Sequence, residues 1–325
     1  MKTLIATDGS QEATTALRIA SRLLRKSRNE FEVLCVAPEL VRPMGRGTET
    51  RAKASQAGEE YRRRITQETS SILDEAAKIL RAEGIEAKLF SEIGSPTDVI
   101  LKLAEDHDVT VVGAAGRNHP AFAGLGSVAS RVVEHAAGMV LVAREPAVSD
   151  RLRVLVGLDG SLASRHALSA MTAYFDIDSA EITLMHVKET PWIHLGLDRE
   201  WFDYPGDVYD QANPEIQFEG ELHREAEEIL DDAQDRLAKY NYSVFTLIEE
   251  GNPATEILGE AESGQYDLIV LGAADASDSK HTMLGSVSAR VAWQAPCSVA
   301  VVKSAGLETG ASVDFIDFRQ QGELT

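Results

Sequence analysis

The sequence predicts two tandem α/β domains, each a doubly wound parallel sheet of five strands with helices on both faces. Three observations carry this expectation. The chain has 325 residues, enough for two hydrophobic cores. Its second half repeats its first. Within each copy, short apolar runs alternate with segments of helical periodicity, the pattern of a parallel sheet buried on both sides.

The repeat is read directly. TLIATDGSQEATTALRIASRLL (Thr3–Leu24) matches VLVGLDGSLASRHALSAMTAYF (Val154–Phe175), which aligns Asp8 with Asp159 and Ser10 with Ser161. FEVLCVAPE (Phe31–Glu39) matches ITLMHVKET (Ile182–Thr190). The Gly-x-Pro stretch before strand four, and the Leu-Gly-Ser that follows it, recur as well. The last segment VASRVVEHAAGMVLVAR (Val128–Arg144) matches VSARVAWQAPCSVAVVK (Val287–Lys303). The expected division is 1–147, 151–304 and a tail at 305–325.

In the first copy strands are expected at Thr3–Thr7, Phe31–Ala37, Ala87–Glu92, Thr110–Gly113 and Met139–Ala143. Each is a short β-branched or apolar run between turn residues. Helices are expected at Glu12–Lys26, Ser55–Glu83, Pro96–His107 and Val128–Ala136. Ala13, Ala16, Leu17, Ala20, Leu23 and Leu24 give the first helix one apolar face. Ser10 and Ser161 read as its N-caps rather than as nucleophiles, since no G-x-S-x-G elbow surrounds them. Pro96 after Ser95 and Pro253 after Asn252 mark first-turn prolines behind a cap. In the common strand order 3-2-1-4-5 the reversal falls between strands one and four, where such sheets bind ligands. The loop at Asp8 and the loop after Gly113 should meet there.

That second loop reads GAAGRNHPAFAGLGS from Gly113 to Ser127. Glycines let backbone N–H groups approach an anion, and a helix N-terminus adds free donors and partial positive charge. Gly113, Gly116, Gly126 and Ser127, with Arg117 and Asn118 beside them, are the parts of an anion site. The Ser127 hydroxyl is expected either to cap the following helix or to donate to an anion. A plain glycine-rich connection is the other reading. The loop is neither a Walker A motif nor a dinucleotide fingerprint. The second copy reads GAADASDSKHTMLGS, with Asp275 where the first has Gly116, and Asp278 nearby.

The spacing G-x2-G-x9-G-S, the strand ending in Asp-Gly-Ser, the Gly-x-Pro helix start and the last strand MVLVAR together resemble the universal stress protein family, over nearly the whole chain in tandem form. The resemblance implies flavodoxin-like, adenine-nucleotide-binding domains of order 3-2-1-4-5. It also implies pairing of the domains through their last strands, Met139–Ala143 and Ser298–Val302. It places Ala6 and Asp8 at the nucleoside and the backbone of Val36 at adenine. Gly113 and Gly116 would bracket ribose and phosphates, and Gly126, Ser127 and the N–H of Val128 would bind the phosphate tail. Asp159, Val187, Gly272, Gly285 and Ser286 would form a weaker second site. Asp275 departs from the family glycine. Two like unit charges about 4 Å apart repel by about 4 kcal/mol at an effective dielectric near 20, before screening. The expectation is ATP, with Mg²⁺ left open, held mainly by the first domain.

Composition bounds the rest. The net charge is −20, and it is uneven: residues 1–149 hold 20 Lys+Arg and 20 Asp+Glu, while 150–325 hold 12 and 32. An acidic half argues against nucleic acid. No run approaches the ~18 apolar residues of a membrane span. Cys35 and Cys297 sit in apolar runs, as buried thiols of a cytoplasmic protein would. The eight histidines show no metal-ligand spacing, so neither a metal site nor a catalytic residue is assigned. The expected role is regulatory nucleotide binding; the alternatives are a slow ATPase and a nucleotide-free scaffold. A homodimer stays open. The aromatic, acidic insert Pro191–Gly220 reads as a packed loop or a partner surface, and the basic stretch with Arg42, Arg46 and Arg51 as a solvated loop.

Overall fold

The computed structural model describes residues 1–39, 48–116, 124–145, 151–189, 214–240, 242–273 and 284–303, with backbone alone at 48–57 and 214–218. The first half runs β1 (Lys2–Ala6), α1 (Gln11–Leu23), β2 (Glu30–Ala37), α2 (Thr48–Ala82), β3 (Ala87–Ile93), α3 (Pro96–Ala104), β4 (Val109–Gly113), α4 (Ser127–His135) and β5 (Met139–Ala143). The second runs β6 (Arg153–Gly157), α5 (Leu162–Tyr174), β7 (Glu181–Lys188), α6 (Pro214–Leu237), β8 (Ser243–Glu250), α7 (Pro253–Ser263), β9 (Leu268–Gly272), α8 (Ser286–Gln294) and β10 (Ser298–Val302). These are two tandem flavodoxin-like α/β units. The insert at 191–213, the basic loop at 40–47 and the tail at 305–325 lie outside the described residues.

Local chemistry sets the helix starts. Ser10 Oγ accepts the Ala13 N–H at 3.1 Å, and Ser161 Oγ accepts that of Ser164 at 3.1 Å. Asn252 caps α7 in the same way through the Thr255 N–H, whereas Ser95 precedes Pro96 without a side-chain cap bond. Two expectations are corrected. Helix α2 begins at Thr48 instead of Ser55, since its Arg-Ala-Lys-Ala run continues the helix backward to the last glycine of the basic stretch. Ser127 does not cap α4: Gly126 is the N-cap and makes no side-chain bond, which leaves Ser127 as the first helical residue.

The ten strands form one sheet in the order β3-β2-β1-β4-β5-β10-β9-β6-β7-β8. Alternate residues of each strand feed opposite layers: Ile5 and Leu141 pack under α1, α2, α5 and α6, while Leu4 and Val140 pack under α3, α4, α7 and α8. All neighbours are parallel except at the centre, where β5 meets β10 antiparallel. There Leu141 faces Ala300, and these are the same position of the repeat. Leu24 and Phe175, another repeat pair, form a single antiparallel bridge. The Arg25 N–H donates to Tyr174 O and the Asp176 N–H to Leu23 O, one bond mapping onto the other. An approximate two-fold axis therefore passes through the seam. Val140, Leu141, Val142, Val299, Ala300 and Val301 are fully buried there. Burying each of the larger side chains is worth about 1.5–3 kcal/mol.

Candidate functional site

The site is assembled by two turns at the carboxyl ends of β1 and β4. After β1 the chain turns through Gly9, whose φ of 76° is left-handed and suits glycine. Thr7 Oγ1 accepts the Gly9 N–H at 3.2 Å, and Asp8 Oδ1 accepts the Ser10 N–H at 2.9 Å. These bonds hold the Asp8 side chain over its own turn and orient Oδ2 toward Gly116. A Cβ placed on Gly116 would stand 3.1 Å from Asp8 Oδ2, so the bare backbone of the second turn lies against the carboxylate of the first.

Gly113 has a different reason to be glycine. A Cβ there would stand 2.7 Å from the carbonyl oxygen of Glu12, in the first turn of α1. Gly272 is constrained alike, with a Cβ meeting the Ala163 carbonyl oxygen at 2.5 Å. Both glycines let strand and helix approach, whatever the loop binds. The two ends of the glycine loop are then laced together. The Gly126 N–H donates to Ala114 O at 2.8 Å, and the Ala114 N–H donates to Ala143 O at 3.1 Å. This anchors the start of α4 over the end of the sheet. The first N–H groups of that helix, from Ser127 to Ala129, have no partner within it.

A cleft of about 470 Å³ lies between these turns. It brings together Ala6, Asp8 and Val36 at the strand ends with Gly113, Gly116, Gly126, Ser127 and Val128. Arg117 and Asn118 lie outside the described residues. Its lining is chemically mixed. Leu34, Val36, Pro38, Pro96, Ile100 and Val112 supply an apolar shelf beside the glycines and the helix N-terminus. Leu34, Pro38, Pro96, Ile100 and Val112 are absent from the sequence-based assignment. Period-two spacing from Val36 back to Leu34, and i, i+4 spacing from Pro96 to Ile100, would have found three of them.

The matching region of the second half is built differently where it is described. Asp159 Oδ1 accepts the Ser161 N–H at 3.0 Å. Burial pushes this carboxyl up, but hydrogen bonds from Ser161 and Ser164 outweigh it and hold the group below the usual range. Ser288 occupies the position of Ala129, and its hydroxyl donates to Gly272 O at 2.6 Å, across the mouth that Ala129 leaves apolar in the first half. Val187 is buried at the end of β7, while Val36 is half-buried and lines the first cleft. The start of α8 carries Gly285 as N-cap and Ser286 as first helical residue. Asp275 and Asp278 lie outside the described residues. Among the described residues, no group of three His, Cys, Asp or Glu is placed to hold a metal ion.

The sheet order and the cleft at its switch point define a tandem α/β protein with a ligand-sized site in its first unit. The universal stress protein family model matches residues 1–144 and again 151–303, and the chain belongs to that family. It is 30% identical over 151 residues to universal stress protein YxiE of Bacillus subtilis, covering 46% of this chain and 98% of that one. A universal stress protein of Mycolicibacterium smegmatis is 26% identical over 304 residues, covering 92% of this chain and 96% of the relative. The crystal structure of a universal stress protein from Archaeoglobus fulgidus matches with a TM-score of 0.59 and 22% identity, over 93% of this chain and 98% of that one. No helix among the described residues is long and apolar enough to cross a membrane.

Proposed function

We propose that the first domain binds ATP as a regulatory ligand, and that the second binds it weakly or not at all. The supporting observation is the convergence of Asp8, Val36, Gly116, Gly126 and Ser127 on one cleft that combines an apolar shelf with the first-turn N–H groups of α4, which have no partner within the helix. Its volume of about 470 Å³ is in the range of small-molecule sites. In this reading the purine lies on Val36 and Ile100, and Asp8 accepts from a ribose hydroxyl. The phosphates meet the glycine loop and the first turn of α4, with Mg²⁺ accompanying them. No residue is assigned a catalytic role, so the ligand acts by being held. The site rests on the boundaries 1–147 and 151–304 for the two domains. Two buried cysteines, neither of them in a disulfide, suit a reducing, cytoplasmic compartment.

Calorimetric titration of the full chain with ATP, with and without Mg²⁺, tests this. One site per chain is expected, weakened by Ser127→Ala, with a melting temperature that rises with ligand. No heat and no thermal shift at millimolar ATP would overturn it, and steady ADP release would replace holding by hydrolysis.

A further inference from the structure

A residue of the second domain rests on the glycine loop of the first. Gly124 has a φ of 79°, in the left-handed region, and the Trp293 indole of α8 packs on its bare Cα so closely that a Cβ on Gly124 would overlap the ring. Trp293 is not there to fill the core of its own domain. It is 43% exposed, whereas its neighbours Val291 and Ala292 are fully buried. Its indole also lines a cleft between the domains whose wall includes Ala114, Ala115 and Gly124. Ala115 faces the ligand cleft as well, so the two cavities share a wall made of the glycine loop.

The contact closes a ring. Gly126 is bonded to Ala114, and Ala114 to Ala143 at the end of β5. The next residue, Arg144, crosses the seam, and its Nη2 donates to Trp293 O at 3.3 Å. The Trp293 ring then returns to Gly124. The loop is thus held from its own sheet on one side and from the other domain on the other. The relationship is one-sided, because the repeat places Glu134 where the second domain has Trp293.

We infer that Trp293 is a positioning residue for the phosphate end of the first-domain site, so that nucleotide binding and the seating of the second domain support each other. This rests on the reading that the glycine loop holds a nucleotide. By linkage, whatever the indole adds to ligand affinity the ligand returns to the contact.

The test uses the full chain with Trp192 and Trp201 replaced by Phe, leaving Trp293 as the single reporter of the three tryptophans. ATP should change its emission with the midpoint seen by calorimetry. Trp293→Ala should weaken ATP roughly 5-fold or more, and Trp293→Phe, which keeps a ring on Gly124, should restore most of the affinity. Calorimetric binding with flat Trp293 emission, or an unchanged affinity in Trp293→Ala, would overturn the inference. The emission arm stands even where Trp293→Ala does not fold. If the parent binds no ATP, the proposed function fails on its own. Hydrogen exchange without nucleotide then decides the positioning claim. The amides of Ala114–Gly116 and Gly124–Ser127 should exchange faster in Trp293→Ala, or in Trp293→Ser if that does not fold, than in the parent, with β1 unchanged, and equal loop exchange would overturn it.

Discussion

Arg144 and Lys303 hold one position of the repeat, and each crosses the seam to cap the last helix of the other domain. The Arg144 guanidinium donates to Ala292 O at 2.6 Å and Trp293 O at 3.3 Å, while the Lys303 ammonium donates to Glu134 O at 2.9 Å and Ala136 O at 2.8 Å. A cation at a helix C-terminus meets otherwise unpaired carbonyls and the negative end of the helix dipole. The exchange is the reason a basic residue follows the terminal strand in both copies.

These buried cations have a pH signature. Burial pushes the Lys303 ammonium down to about 8, partly opposed by Glu134. Below pH 8 the lysine is charged in both folded and unfolded chains, so it adds no slope. Above pH 8 the unfolded chain holds the extra proton, and stability therefore rises with pH, by about 3 kcal/mol across the full window up to the ordinary lysine value. Cys297, whose thiol burial pushes up to about 12, works against this above pH 9. Urea unfolding between pH 8 and 9 should show the rise, and Lys303→Met should abolish it. An identical slope in the variant would contradict the assignment.

The two-fold seam makes a packing prediction. Leu141 and Ala300 face each other, fully buried on one layer. Leu141→Ala should cost about 2–5 kcal/mol by opening a cavity, and Ala300→Leu about 1–3 kcal/mol by overfilling one. The double exchange conserves volume and should recover more than half of the summed loss. Strict additivity in denaturant melts would show that the two side chains do not share the space.

Gly113 and Gly272 should respond alike to substitution. An added methyl at either meets the backbone of the first helix of its own domain, at Glu12 in one case and Ala163 in the other. Each alanine variant should lose about 1–3 kcal/mol. The loss at Gly272, in the half assigned little nucleotide binding, identifies the packing origin. Thermal melts without ligand compare them.

Gly116→Asp should import the second copy's chemistry into the first. The new Cβ would sit 3.1 Å from Asp8 Oδ2, which puts a second carboxylate beside the first at the cleft. A roughly 10-fold or greater loss of ATP affinity is expected, and the melting temperature of the ligand-free chain should fall as well, because the added carboxylate crowds and repels that of Asp8. The reverse change, Asp275→Gly, should raise ATP binding by the second domain.

Most of this architecture is legible in the sequence because local and global signals agree. Strand runs such as VTVVG and MVLVA are short, β-branched and bounded by turns, and they appear as β4 and β5. The misreadings have local causes. The arginine- and glycine-containing stretch before Ser55 reads as loop, although its later part has good helix formers and belongs to α2. Periodicity locates the start of α4 only to within a residue, so it cannot separate a Ser cap from a Gly cap. Asp8 and Gly116 are brought together by topology, which the switch-point argument anticipates. The apolar shelf and Trp293 are different. Trp293 lies 169 positions from Gly124, on an ordinary amphipathic helix, and only the register of β5 against β10 places it on the loop.

That register also bears on evolution and dilution. A domain that needs a partner across its last strand loses it at low concentration when the partner is a separate molecule. Here the partner is tethered, and a short tether holds it at an effective concentration in the millimolar range. Pairing becomes indifferent to how much protein is present. The acidic copy is then free to drift from its twin, since it stays seated at the seam however far its own loop diverges.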